Sequence, residues 1–176
     1  MWELSHTELP IEAVVTAAFC DDRAYYSESG ELVCMSHDGI APEEDLAPNL
    51  VPQSKKCAVC SHNQWGSRIT SNGKRAKACS SFGMLWLLTD DKLASLFLLR
   101  VPATSLRSFR DYEKVLMSRG YSFDNVLTKV SVEHLDTHSL LSFNHVRILE
   151  DGELSALAKR ERQQQSVFAV TTGYIH

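Results

Sequence analysis

Between Gln53 and Trp86 this chain has no acidic side chain, although 22 of its 176 residues are Asp or Glu. The first fifty residues show the opposite lack: Arg23 is their one Lys or Arg, set against eleven acids from Glu3 to Asp45. From Leu87 onward, eleven basic residues balance eleven acidic ones, so the net charge of -4 conceals a polarised chain. That distribution excludes a uniformly basic polyanion binder and leaves room for a polarised one. The plainer reading is that both runs are solvated faces.

Long apolar runs are also missing. The longest, Met84 to Leu88 and Leu96 to Leu99, fall far short of a bilayer span, and the start MWELSHTELP has no basic region leading into an apolar one. A soluble, intracellular (cytoplasmic) protein with no membrane partner is expected. The chain contains no Gly-x-x-x-x-Gly-Lys-Ser/Thr loop, His-Glu-x-x-His helix or Gly-x-Ser-x-Gly elbow. A zinc deaminase would need His-x-Glu upstream of its cysteines; here the chain reads His37-Asp38-Gly39, and a lysine rather than proline precedes Cys57. An exposed thiolate at Cys79 would need a positioned histidine base, so no enzyme is expected.

Cysteine is present in an odd number, five, without a secretory signal, which argues for reduced thiols over a disulfide framework. Cys57-Ala-Val-Cys60 is a turn that can offer two thiolates to one tetrahedral Zn²⁺, and Cys79 follows after 18 residues. A structural zinc is the expected cofactor. A closed site needs a fourth ligand: His62 is the first choice, with Cys34 next and His37 a further supply. Cys20 lies in an apolar run and reads as a small buried hydrophobe. His134, His138 and His145 read as surface residues near a turn.

The same segment concentrates charge. Lys55, Lys56, Arg68, Lys74, Arg75 and Lys77 surround Trp65, which is followed by Gly66. Cations of this kind neutralise phosphates, and an exposed ring can stack on unpaired bases. Trp65 is therefore the candidate for stacking and the six cations the candidate phosphate contacts. The alternative for Trp65 is a cap on the metal loop. Trp86, Phe97, Phe109 and Phe143 fall at core positions.

The pattern suggests a single domain over 1–176, mainly β with α. Residues 1–52 are acidic and strand-prone: Ile11 to Phe19 could be a strand or a short helix, and Ser29-Gly30 leads into a second hairpin arm at Glu31 to Met35. Residues 53–81 form a basic, zinc-binding insertion. Within 82–149, Phe82 to Thr89 and Leu93 to Val101 read as buried strands joined at Asp90-Asp91-Lys92, with a helix as the alternative for the second. Ser105 or its neighbours then cap a helix whose apolar positions run from Leu106 to Leu116, and Gly120 ends it. Val126 to Val132 and Leu140 to Leu149 form a closing hairpin. Residues 150–176 would be a surface helix and a β-prone tail. Short strands, one or two helices and a chemistry-bearing insertion fit a small OB-fold-like barrel; an α+β sandwich fits too.

Cys57-Ala-Val-Cys60, Asn63-Gln64-Trp65-Gly66-Ser67 and Gly73-Lys74-Arg75-Ala76-Lys77-Ala78-Cys79 together resemble a group of bacteriophage-encoded single-stranded DNA-binding proteins. Weaker likenesses run from Leu99 to Tyr112 and into the hairpin at Thr128 and Ser142-Phe143, so the resemblance spans roughly 50–150. It implies an OB-like fold, a structural zinc and contact with the sugar-phosphate backbone of single-stranded DNA without strong sequence preference. The chain departs from replicative single-strand binders in ending Gly173-Tyr174-Ile175-His176 rather than in an acidic tail. A second functional class stays open: a phage-encoded interaction module whose acidic surface occupies a basic host protein, such as a defence complex.

Overall fold

A computed structural model describes residues 2–3, 9–44, 50–89, 96–134 and 139–159. Its centre is one long strand. β2 (Ile11–Tyr26) resolves the ambiguity at its start in favour of a strand, as the β-branched pair Val14-Val15 and Thr16 favour. One edge of β2 pairs with β6 (Cys79–Thr89) from Ala13 to Tyr25. Its other edge is divided between β8 (Val126–His134), which pairs with Ile11 to Ala13, and β3 (Leu32–Ser36), which pairs with Arg23 to Tyr26. Register shifts between Val15 and Ala17 and between Phe19 and Asp22 mark bulges. Bulges bend and twist a strand, which allows one strand to serve two partners on one edge.

With β1 (Trp2–Glu3), β7 (Leu96–Pro102) and β9 (Ser139–Ile148), these strands form a seven-stranded sheet in the order β1-β7-β6-β2-β8-β9, with β3 beside β2. Among the described residues the sheet ends on β1 and β9 and is not closed into a barrel, which corrects the expectation of a small OB-like barrel. The coarser expectation holds: the chain is mainly β with helices packed on it.

Helix α1 (Ala103–Ser118) covers one face. Leu106, Phe109, Tyr112 and Leu116 meet Ala13, Val15, Leu85, Leu87, Leu99 and Val101, and Phe143 approaches Phe109 edge-on at 5.1 Å. Gly83 permits this approach, because a Cβ there would lie 2.9 Å from Leu106. The expected hydroxyl cap is not made: Pro102 is the N-cap residue, and Ser105 lies inside the helix with its Oγ accepting from the Leu141 N–H at 2.9 Å. Helix α2, over 151–159, covers part of the opposite face, where Leu157 meets Val14, Leu88, Leu127 and Leu149. Adjacent residues Val14 and Val15 thus point into different cores and are both fully buried. A sheet covered on both faces reads as a continuous apolar run, which is why alternation was hidden here.

The expected turn at 90–92, the loop holding His138 and the tail from 166 lie outside the described residues. Cys20, read from sequence as a small buried hydrophobe, is only half-buried and packs against the α1 core.

Candidate functional site

The insertion leaves the sheet after β3 and returns at Cys79. Two short 3-10 turns, Cys57–Val59 and Ser61–Asn63, carry the cysteine pair, and the Cys60 N–H donates to the Cys57 carbonyl at 3.3 Å. A hairpin follows, β4 (Arg68–Ile69) against β5 (Arg75–Ala76). Its tip is closed by the Gly73 N–H on the Thr70 carbonyl, with Gly73 at φ 77°, a region that suits glycine.

Buried Asn63 fastens this unit to the sheet. Its Oδ1 accepts from Arg23 Nη1 at 2.7 Å and from Lys77 Nζ at 3.1 Å, while its Nδ2 donates to the Cys57 carbonyl at 2.8 Å. The Cys57 N–H donates to the Ile40 carbonyl at 2.8 Å. His62 lies on Tyr25, ring centroids 3.9 Å apart. These contacts lay the cysteine turn over the end of β2.

Cys34 on β3 and Cys79 on β6 are both cross-strand partners of Tyr25, one from each side. Paired residues face the same way, so both thiols share the face that the cysteine turn covers. Cys34, Cys57, Cys60 and Cys79 line one cavity together with Arg23, Tyr25 and Asn63. Its volume, about 20 Å³, holds one water-sized particle. All four cysteines are free thiols. Burial pushes the Cys79 thiol up to about 11; Arg23 acts in the opposite sense, and Cys57, Cys60 and Cys34 reinforce the rise. Among the described residues no three or more His, Cys, Asp or Glu side chains are grouped so as to hold a metal ion as they stand.

The hairpin and the segments on either side of it carry the residues singled out for polyanion contact. Trp65 is 71% exposed, and Lys55, Lys56, Arg68, Lys74, Arg75 and Lys77 are all exposed. Among the described residues none of the six cations forms an ion pair with a carboxylate. Lys77 is nonetheless tethered through Asn63. Trp65 does not sit as a buried cap on the cysteine turn.

Cys57, Cys60 and Cys79, the sequence's candidate ligands, line the same cavity, but among the described residues they are not grouped so as to hold a metal ion as they stand. The fourth cysteine on the cavity wall is Cys34; His62, stacked on Tyr25, is not part of that wall. His37 instead holds buried Asp22 through Nδ1 at 2.7 Å. Sequence reasoning passed over Arg23, Tyr25 and Asn63. The sign that could have flagged Arg23 was its isolation as the lone cation among eleven acids. Compared with protein-family models, curated proteins and solved structures, the chain finds no match.

Proposed function

We propose that this chain binds single-stranded nucleic acid, DNA in the first instance, without strong sequence preference, through the hairpin and cysteine turn spanning 55–77. The observation that carries this reading is an exposed Trp65 set among six cations that no carboxylate neutralises among the described residues. A surface of that kind gains twice from a polyanion. Phosphates replace condensed counterions at Lys and Arg, and an unpaired base stacks on the indole. A duplex satisfies only the first term, since its bases are already stacked.

Two of the eleven acidic side chains in the first fifty residues have basic partners. Asp22 is buried against His37, and Asp21 pairs with Arg110 at 3.0 Å, so the negative end of the chain is less available to repel phosphate than its composition suggests. Titration of the tryptophan fluorescence with oligo-dT at two salt concentrations is the test. Quenching whose midpoint moves steeply to higher oligonucleotide as salt rises is the expected result. Unchanged fluorescence and no oligonucleotide retention at low salt would discard the reading and leave the acidic-surface interaction module.

A further inference from the structure

We propose that Cys34, Cys57, Cys60 and Cys79 form an all-thiolate site for a single thiophilic divalent cation, zinc by its chemistry, and that His62 is a packing residue beside it. The first support is convergence: four of the chain's five cysteines, from three separate segments, line one cavity with room for one small particle. The donor set is what a soft-to-borderline ion prefers, and four thiolates complete a closed tetrahedral shell with no place left for an imidazole.

The second support is what the insertion lacks. Of residues 53–78 only Cys57, Cys60 and Asn63 are buried, and none belongs to either hydrophobic cluster. Ordering the backbone of this segment costs conformational entropy that three buried side chains do not offset. Small segments without a core of their own are held by a crosslink, and here the crosslink available is a metal bound through thiols.

Geometry sets a condition on binding. Cys34 and Cys79 stand on either side of Tyr25, two interstrand spacings or roughly 10 Å apart at Cα, wider than two ligands of one tetrahedral ion. That spacing agrees with the absence of a ready-made ligand group among the described residues. The sulfurs can meet only if the strand ends draw in, and the register shift between Tyr25 and Tyr26 is where β2 and β3 can give. On binding, four S–H protons leave for solvent, four S–metal bonds form, and the resulting anionic centre lies beside Arg23, itself on the cavity wall.

This inference stands apart from the nucleic-acid reading, because metal content is measured without oligonucleotide. The full chain, purified without chelator, is assayed by elemental analysis and then reconstituted with Co²⁺, whose thiolate charge-transfer absorption scales with the number of sulfur ligands. We expect one ion per chain, a four-sulfur spectrum, retention of the ion in His62→Ala and Cys20→Ser, and loss in Cys34→Ser and Cys57→Ser. Should a serine variant fail to fold, the wild-type cobalt spectrum still decides the ligand count. No bound metal in the wild type, a three-sulfur spectrum, or loss of the ion in His62→Ala with retention in Cys34→Ser would each overturn the assignment. A metal-loaded chain that ignores oligo-dT would sink the earlier proposal and leave this one.

Discussion

The imidazole of His62 lies nearly parallel to the phenol ring of Tyr25, with centroids 3.9 Å apart and planes 18° apart. One ring belongs to the cysteine turn and the other to the central strand, so the stack joins the insertion to the sheet. Aromatic pairs contribute about 0.5–1.5 kcal/mol beyond their buried area. His62→Ala should therefore lower the denaturant midpoint by a loss of about 1 kcal/mol, within that range. His62→Phe should recover most of it. If the phenylalanine variant is as unstable as the alanine one, the stack is not what the histidine supplies.

Asn63 has a larger role than its size suggests. It satisfies Arg23, Lys77 and the Cys57 carbonyl at once while buried. Asn63→Leu keeps the volume but takes away the Arg23 acceptor and leaves the Cys57 carbonyl with the Cys60 N–H alone, a cost of about 1–3 kcal/mol for a stranded buried group. Limited proteolysis should then cut within 53–78 before any cleavage of the sheet. Asn63→Asp keeps the acceptor for both cations and loses only the donor, so it should be milder. Equal protease resistance in wild type and Asn63→Leu would show that the insertion is anchored by other means.

How far the sequence revealed these features depends on whether the signal was local. Helix α1 was legible because Leu106, Phe109, Tyr112 and Leu116 repeat at helical spacing, and the hairpins because turn residues separate apolar arms. Whether the sheet closes was not legible. That depends on β2 bending at two bulges and giving one edge to both β8 and β3, and no residue pattern encodes a shared edge. At the site, Cys57 and Cys60 are found by spacing alone. Cys34 is 23 residues before Cys57, and only the pairing of both Cys34 and Cys79 with Tyr25 puts it on the cavity wall. His62 attracted attention by proximity in sequence, but the 3-10 turn at Ser61–Asn63 directs its ring onto Tyr25.

Trp65 and the hairpin cations should separate in a binding experiment. Trp65→Ala removes a stacking platform worth about 1–3 kcal/mol per base, so affinity for oligo-dT should fall by roughly tenfold or more while the slope of log affinity against log salt stays the same. Replacing Arg68, Lys74 and Arg75 together with Gln should do the reverse: the slope should flatten by about 0.7 for each single-strand phosphate that is no longer neutralised. A Trp65→Ala protein that binds as the wild type does would move the stacking surface elsewhere.

Helix α2 is attached to β9 by Arg147, whose Nη1 and Nη2 each reach a carboxylate oxygen of Glu153 at 2.7 Å. The same carboxylate accepts the Glu150 N–H at 2.8 Å, closing the start of the helix. The bidentate arginine, with that N–H, holds the Glu153 carboxyl down at about 2 from an ordinary 4.5. The sign follows from linkage. A carboxyl whose folded value is depressed adds stability above its unfolded value, and that stability is lost as pH falls from about 4.5 toward 2. Because Arg147 is 40% and Glu153 26% exposed, solvent screens the pair, and about 0.5–1 kcal/mol is the appropriate scale. Glu153→Gln should then be less stable than wild type by that amount at pH 6. The gap should narrow steadily on acidification through this window and shrink in high salt. Urea titrations of both proteins at pH 6, 4 and 2.5 measure it, and a gap that stays constant across the series would rule out the charged pair as its source.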